Sequence, residues 1–458
     1  METLGYVNTG EGPRFSILGI GVEDKVAVVE GDTGFWAIVD AHRIPSLLED
    51  SLLKEFESHR EEFAREMETL RFKLPPSAVY FNPTERCNFD CTYCYLPREI
   101  RKNGISMTPG EVCEALGILL DFFHEVLGEG ATPQVIFHGS EPMMAKEAVF
   151  EGIERFHGRF LFGIQTNATL LTPEDLDFIK KHQVGLGISL DGPVEEIANR
   201  TRKSWSGKGG FKKVLEVIET LEDYPAYNVI TTVTKENVHV LRELIGFYHQ
   251  LHVPVIMLNP VRCTQEGGRR AKPDDGVFLK AMTQALDYSY QLYEQSQRKV
   301  VVANFANIMA GILGPTGRRL MCDISPCGGG RCFFALAATF DVYPCSEFIG
   351  IPEFKAGNIR ETPLSRILKS EPIQKVTSRK VEDIIPCRDC AIRHFCGAPC
   401  PAEVYMLNGD LNTPAPFCEF YQGLIRYAFK CIALKREDAY MWDGWDEETQ
   451  VSYEYQSA

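Results

Sequence analysis

Between residues 77 and 300 the chain alternates regularly between short apolar runs and longer stretches of helical period. The runs at 78–82, 134–138, 161–165, 184–189, 228–233 and 255–259 read as strands, being short, apolar and bounded by turn residues. The segments 109–126, 146–156, 173–181, 211–222 and 238–251 between them read as helices, and 274–297 follows the last strand as another. Thr108-Pro109 and Thr172-Pro173 are helix starts, a capping hydroxyl followed by Pro where a missing N–H costs nothing. Strands that alternate with helices in this way lie parallel, joined by right-handed crossovers. The expected fold is α/β, an open, TIM-like partial (β/α)6 barrel over 77–300.

The first strand leads into Cys87-Asn-Phe-Asp-Cys91-Thr-Tyr-Cys94, a C-x3-C-x2-C spacing. The triplet therefore sits on a loop at the C-terminal end of a strand, where open α/β sheets and barrels place chemistry. Three thiolates on one short loop can grip three irons of a [4Fe–4S] cluster. The fourth iron is then left without a protein ligand, and an open metal position is one a substrate can occupy. A structural zinc site asks for four N or S ligands in paired knuckles, and a disulfide for an even number of cysteines. Of 15 Cys in 458 residues, three lie at 87–94 and eight at 327–418, or nine with Cys322. Cys113, Cys263 and Cys431 stand apart and read as packing residues.

The triplet resembles that of the radical S-adenosylmethionine (radical SAM) enzymes. The resemblance implies that the open iron chelates the amino and carboxylate groups of S-adenosylmethionine, whose cleavage yields a 5′-deoxyadenosyl radical that abstracts a substrate hydrogen. Further motifs follow in the order the family requires. Phe137-His-Gly-Ser-Glu-Pro142 is similar to the family's Gly-Gly-Glu-Pro, with Ser140 at the second Gly. It implies that the backbone at Gly139 and Ser140 and the carboxylate of Glu141 receive the cofactor's amino group. Gln165-Thr-Asn167 and Ser189-Leu-Asp-Gly-Pro193 end the third and fourth strands and resemble segments that bind the cofactor's ribose and carboxylate. Asn167 and Ser189 are the candidates there, with Arg202 for the carboxylate, and Tyr93 stands where relatives place an aromatic beside the adenine. Taken alone, Asn167 reads as a cap, Ser189 as a turn residue and 139–142 as a strand-to-helix turn. The catalytic acid or base is unknown from the sequence.

A second cysteine field begins with Cys327-Gly-Gly-Gly-Arg-Cys332 and Asp341-Val-Tyr-Pro-Cys345, then Cys387-x2-Cys390-x5-Cys396-x3-Cys400 and Cys418. It resembles the SPASM extension of radical SAM enzymes, which implies two further [4Fe–4S] clusters, three in all. By that resemblance Cys387, Cys390, Cys396 and Cys418 hold one, and Cys327, Cys345 and Cys400 hold the other with a fourth ligand. Cys322 and Cys332 are both candidates for that ligand; the family's extra ligand lies upstream, as Cys322 does. Paired zinc sites are the rival, since C-x2-C is also a zinc knuckle. Phe340 replaces a Gly of the pattern, at a turn where a positive φ is expensive for other residues.

The flanks carry less information. Residues 26–30 and 35–39 read as a hairpin around Gly31-Asp-Thr-Gly34, 44–74 as helical, and Pro75-Pro76 as the end of a small α+β module over 1–76. Peptide-modifying relatives carry a leader-peptide-binding module of this make; a plain barrel cap is the alternative. Residues 264–275, with Gly267-Gly-Arg-Arg270, read as a flexible basic surface loop. Residues 301–435 form the expected SPASM domain, with a terminal helix at 421–435, and 436–458 an acidic, aromatic tail. The net charge of −15 argues against a nucleic-acid binder, and the absence of a long apolar run or a basic-then-apolar start points to a cytoplasmic protein off the membrane. The expected activity is radical modification of a ribosomally synthesised peptide by a thioether or other crosslink, fed by an external electron donor such as flavodoxin or ferredoxin. The alternatives are an anaerobic sulfatase-maturating enzyme that makes formylglycine, and a non-catalytic electron carrier with several clusters. The bond formed, the precursor and the oligomeric state are not legible.

Overall fold

The computed structural model describes residues 3–8, 14–44, 52–314 and 317–445. Strands β1 (Thr3–Asn8), β2 (Arg14–Val22), β3 (Lys25–Glu30) and β4 (Trp36–Asp40) form an antiparallel sheet in that order. The expected hairpin is β3–β4, with Ala27 opposite Ile38 and Val29 opposite Trp36. Strand alternation gives the sheet two apolar faces. Phe15, Ile17, Val26 and Val28 pack with Phe56 of helix α1 (Leu52–Glu68). Leu18, Ile20, Ala27 and Val29 enter the main core of the molecule. The expected helical stretch 44–74 is α1 and a π turn at Thr69–Lys73; 45–51 lie outside the described residues.

Strands β5 (Ala78–Phe81), β6 (Gln134–Phe137), β7 (Leu161–Thr166), β8 (Gly185–Ser189), β9 (Tyr227–Val233) and β10 (Val255–Pro260) are parallel neighbours in chain order. The helices α2 (Pro109–Leu127), α3 (Lys146–Arg155), α4 (Pro173–Lys181), α5 (Phe211–Thr220) and α6 (Leu241–Gln250) connect them, and α7 (Asp275–Ser296) follows. Thr108 and Thr172 each close a capping box, with Glu111 and Asp175, ahead of Pro at the first helical position. This is the expected mixed α/β architecture with its parallel sheet.

The sheet continues past both ends of this set. β11 (Val301–Val302) joins β10, and α8 (Ala303–Leu313) follows it. On the opposite side β12 (Phe333–Leu336) pairs parallel with β5, Phe334 opposite Val79, and β13 (Asp341–Tyr343) and β14 (Gly357–Asn358) add antiparallel. The cysteine-rich region is thus hydrogen-bonded to the strand that delivers the cysteine triplet. At the turn before β13, Phe340 takes φ +65 despite its side chain. Burial of its ring, with the Arg360 guanidinium carbon 3.6 Å from the centroid, offsets a cost of roughly 1–2 kcal/mol for the left-handed backbone.

Two expectations need correction. The basic stretch at 264–275 is ordered: Glu266–Ala271 is a short helix packed on the triplet loop, so close that a Cβ on Gly267 would lie 1.9 Å from the Thr92 carbonyl oxygen. Surface-loop composition misled because the two glycines serve close approach, not flexibility. The terminal helix begins earlier than expected, α9 running Cys418–Ala433. Of the tail, Ala439, Tyr440 and Met441 are buried against it, and 446–458 lie outside the described residues.

Candidate active site

The triplet leaves β5 on a loop that is braced mainly through its backbone. The Cys87 N–H donates to the Arg101 carbonyl at 2.9 Å, Asp90 to Lys203 at 2.7 Å, and Thr92 to Thr201 at 3.0 Å. Trp205 Nε1 donates to the Cys87 carbonyl at 2.7 Å. All three thiols line a cavity of about 330 Å3 at the C-terminal ends of the parallel strands. The buried Arg101 and the part-buried Arg202 lie near them. Burial pushes the Cys91 thiol up to about 11, and Arg202 opposes it. A buried thiol of this kind binds metal by giving up its proton, and the two guanidiniums favour the thiolate. The donor set suits an anionic, thiolate-held cluster.

Beside the triplet the cavity wall is built for close approach. Gly139 has φ +100, and a Cβ there would lie 2.2 Å from the Asn82 side chain. Gly139 and Ser140 line the cavity, Ser140 Oγ donating to the Glu85 carbonyl. Glu141 is placed differently from the expectation of direct cofactor contact. It is fully buried and absent from the cavity wall. Its carboxylate accepts from Thr166 Oγ1 at 2.6 Å, the Asn167 N–H at 2.8 Å and the Met143 N–H at 3.1 Å. It therefore shapes the wall by tying the loop after β6 to the end of β7. Asn167 lines the cavity with its side chain already engaged, Nδ2 donating to Asn88 Oδ1 at 2.8 Å and Oδ1 accepting from Thr169.

Ser189 and Arg202 also line the cavity. Tyr93 donates its hydroxyl to Asp191 and accepts from Arg202 Nη1 at 2.7 Å, so tyrosine and aspartate together fix the guanidinium at the wall. Such a fixed cation suits a ligand carboxylate. Burial raises the Asp191 carboxyl, and Arg202 opposes that shift.

The same cavity reaches the second cysteine field. Cys322, Cys327, Cys345 and Cys400 line it; Cys332 does not, being fully buried with Met321, Ile324 and Phe333. Cys322 thus shares the cavity wall with the other three, and Cys332 lies behind it. Cys387, Cys390, Cys396 and Cys418 influence one another's thiols and form a separate group. All described cysteines are free of disulfides. Among the described residues no three His, Cys, Asp or Glu side chains are placed to hold a single metal ion. Cys322→Ala is expected to remove about four irons per chain or convert that cluster, whereas Cys332→Ala should leave iron unchanged, as iron and sulfide analysis would show.

Several lining residues escaped the sequence reading. Arg262, just past β10, donates from Nη1 to Glu403 at 3.0 Å and sits 3.5 Å from Glu347. Glu347 Oε2 and the adjacent Ser346 Oγ have no hydrogen-bond partner and both residues face the cavity. Burial pushes the Glu347 carboxyl up to about 7, against Arg262 and with Glu403 adding to the rise. His138, expected only as part of a motif, is held neutral by burial, at about 4. A charged residue two positions after Cys345, within Cys-Ser-Glu-Phe-Ile, was the available signal for Glu347.

A parallel β/α sheet with a three-cysteine loop, a glycine cradle and a cysteine-rich extension at one cavity defines a radical enzyme with auxiliary iron–sulfur sites. Residues 81–248 match the radical SAM superfamily, and 327–391 match the SPASM iron–sulfur cluster-binding domain. An uncharacterized protein of Archaeoglobus fulgidus is 39% identical over 90% of this chain and 93% of its own length. A serine-type anaerobic sulfatase-maturating enzyme of Bacteroides thetaiotaomicron is 25% identical over 71% of this chain and 82% of its own. The structure of anSMEcpe with bound AdoMet superposes with a TM-score of 0.70 at 19% identity, covering 83% of this chain and all of that one. That of Streptococcus suis SuiB bound to precursor peptide SuiA gives 0.59 at 12% identity, covering 86% and 96%. The chain belongs to the radical SAM superfamily and carries a SPASM domain. Among the described residues no helix is long and apolar enough to cross a membrane.

Proposed function

We propose that this chain is a maturase that binds S-adenosylmethionine at a cluster held by Cys87, Cys91 and Cys94 and modifies a ribosomally made peptide. The observation that carries the reading is the shared cavity, lined by those three thiols at one part and by Cys322, Cys327, Cys345 and Cys400 at another. When bound, the cofactor supplies a carbon radical that takes a substrate hydrogen. This chain's residues then have separate tasks. Gly139 and Ser140 would give the backbone approach to the amino group, and Arg202, held by Tyr93 and Asp191, would take the carboxylate. Ser189 and Asn167 would hold the ribose from the cavity wall. Ser346 and Glu347, each with an unpartnered polar atom, line the part of the cavity where the peptide would enter. A flavodoxin or ferredoxin supplies electrons, and residues 1–76, 77–300 and 301–435 act as leader-binding module, radical domain and auxiliary-cluster domain.

The test is a reaction of the reconstituted protein with S-adenosylmethionine, a reductant and a short peptide encoded beside its gene. A change in peptide mass accompanied by 5′-deoxyadenosine supports the reading; 5′-deoxyadenosine without any change in peptide counts against it. A non-catalytic electron carrier would give no 5′-deoxyadenosine at all. Three four-iron clusters require about twelve irons and matching sulfide per chain. Stoichiometric zinc with little sulfide would instead identify the C-terminal cysteines as zinc knuckles.

A second reading, oxidation of one Ser or Cys to formylglycine, is favoured by the sulfatase-maturating relatives and by the unpartnered Ser346 and Glu347 atoms, which suit a hydroxyl or thiol donor. Conversion of a sulfatase-derived Cys or Ser peptide would establish it.

A further inference from the structure

Arg379 stands between Cys345 and Cys387 in the chain and is 4% exposed. A buried guanidinium is costly unless an anion or several acceptors compensate it. Among the described residues no carboxylate pairs with Arg379. Its Nε donates to the Leu411 carbonyl at 2.6 Å and its Nη2 to the Thr413 carbonyl at 3.2 Å. Those carbonyls belong to the segment between Cys400, of one group, and Cys418, of the other. On its other side the Arg379 carbonyl accepts from Ser325 Oγ, which also receives the Val381 N–H at 2.9 Å. Ser325 stands two residues before Cys327, and Val381 packs with Cys387. Arg379 is thus tied, through its side chain on one side and its backbone on the other, to segments that carry ligands of both groups.

We propose that Arg379 is a charge bridge between the two auxiliary clusters, a fixed buried cation that stabilises their more negative reduced states and raises both reduction potentials. The proposal rests on the assignment of Cys322, Cys327, Cys345 and Cys400 to one cluster and of Cys387, Cys390, Cys396 and Cys418 to the other. Net charge near a cluster is one of the quantities that set its potential. Burial lowers the Arg379 pKa, and Cys327 and Cys400 of one group with Cys387 and Cys396 of the other oppose that shift. Two hydrogen bonds to carbonyls hold the guanidinium without neutralising it. Arg379 makes no contact with substrate in this assignment; it is a positioning and tuning residue.

The experiment compares reconstituted wild-type, Arg379→Gln and Arg379→Lys proteins by iron analysis and by reductive titration followed by electron paramagnetic resonance. In Arg379→Gln, which keeps hydrogen-bond donors but loses the charge, both auxiliary clusters are expected to become harder to reduce at full iron content. The potential of the Cys87–Cys94 cluster should not move. Arg379→Lys should retain potentials close to wild type. Unchanged auxiliary potentials in a fully loaded Arg379→Gln protein would overturn the proposal and leave Arg379 a loop anchor. If the Gln variant loses its clusters, the Lys variant decides: retained clusters at wild-type potential support the charge, and their loss shows that only the fork geometry matters. Wild-type protein with about four irons would overturn the cluster assignment itself, which is separable from a failure of Arg379 alone.

Discussion

Replacing Cys87, Cys91 and Cys94 together with Ala is expected to reduce 5′-deoxyadenosine formation to background while leaving the protein folded. The loop that carries them is held by backbone hydrogen bonds to Arg101, Thr201 and Lys203 and by Trp205 Nε1, none of which uses a thiol. Loss of three ligands removes the means of holding that cluster, so about four irons should leave and about eight remain. The reading is checked by product chromatography under reductant, alongside iron analysis and circular dichroism. Undiminished 5′-deoxyadenosine would mean that the cofactor is cleaved elsewhere. A folded protein that loses all its iron would mean that the auxiliary clusters depend on the first. The paired outcome, activity gone and two clusters kept, is expected because the other cysteines come from segments after β11 and are anchored by other contacts, such as Arg379 to Leu411.

What could be read in the chain before its structure follows from which signals are local. The strands β5 to β10 and their helices were legible because period and caps are properties of neighbouring residues. Thr108-Pro109 and Thr172-Pro173 start helices as read. The cysteine triplet and the SPASM pattern were legible because ligand spacing is also local. Contacts made across the chain were not. That β12 would pair with β5, and so bring Cys345 to the cavity of Cys94, is a matter of sheet order. Likewise Glu141 belongs to a matched motif, yet its carboxylate faces Thr166 and Asn167, a relation between two loops that spacing does not encode. Cys322 and Cys332 flank Cys327 at equal distance in sequence, and only folding separates a cavity-facing thiol from one packed under Phe333. Strands β1 and β2 were missed because Phe15-Ser-Ile-Leu-Gly-Ile-Gly mixes strand formers with glycine.

Deletion of residues 1–74 is expected to destroy the folded protein. Leu18, Ile20, Ala27 and Val29 share the main core with Phe395 and Phe429. Trp36 Nε1 donates to the Ile312 carbonyl at 2.7 Å and its ring meets Phe429 edge-on, while Arg426 donates to the Gly19 carbonyl at 2.8 Å. Arg71 forms a bidentate pair with Glu382, at 2.7 and 2.9 Å. Uncovering three large aliphatic side chains' worth of contact costs about 5–9 kcal/mol at roughly 1.5–3 kcal/mol each. That is comparable to the whole stability of an ordinary domain, about 5–15 kcal/mol. Thermal unfolding and gel filtration of the truncated protein should therefore show aggregation or loss of a cooperative transition. A truncated protein that melts like the full chain would show that the sheet is only laid on the surface. Because the deletion removes core, it cannot by itself report on leader binding. That question falls to the intact protein, where β4 has no strand on its outer side among the described residues. A peptide added there would complete backbone hydrogen bonds along 36–40. Slower hydrogen exchange of those amides when the precursor is present would support strand addition; exchange unaltered at 36–40 with the precursor bound would place its leader elsewhere and leave the sheet a structural buttress.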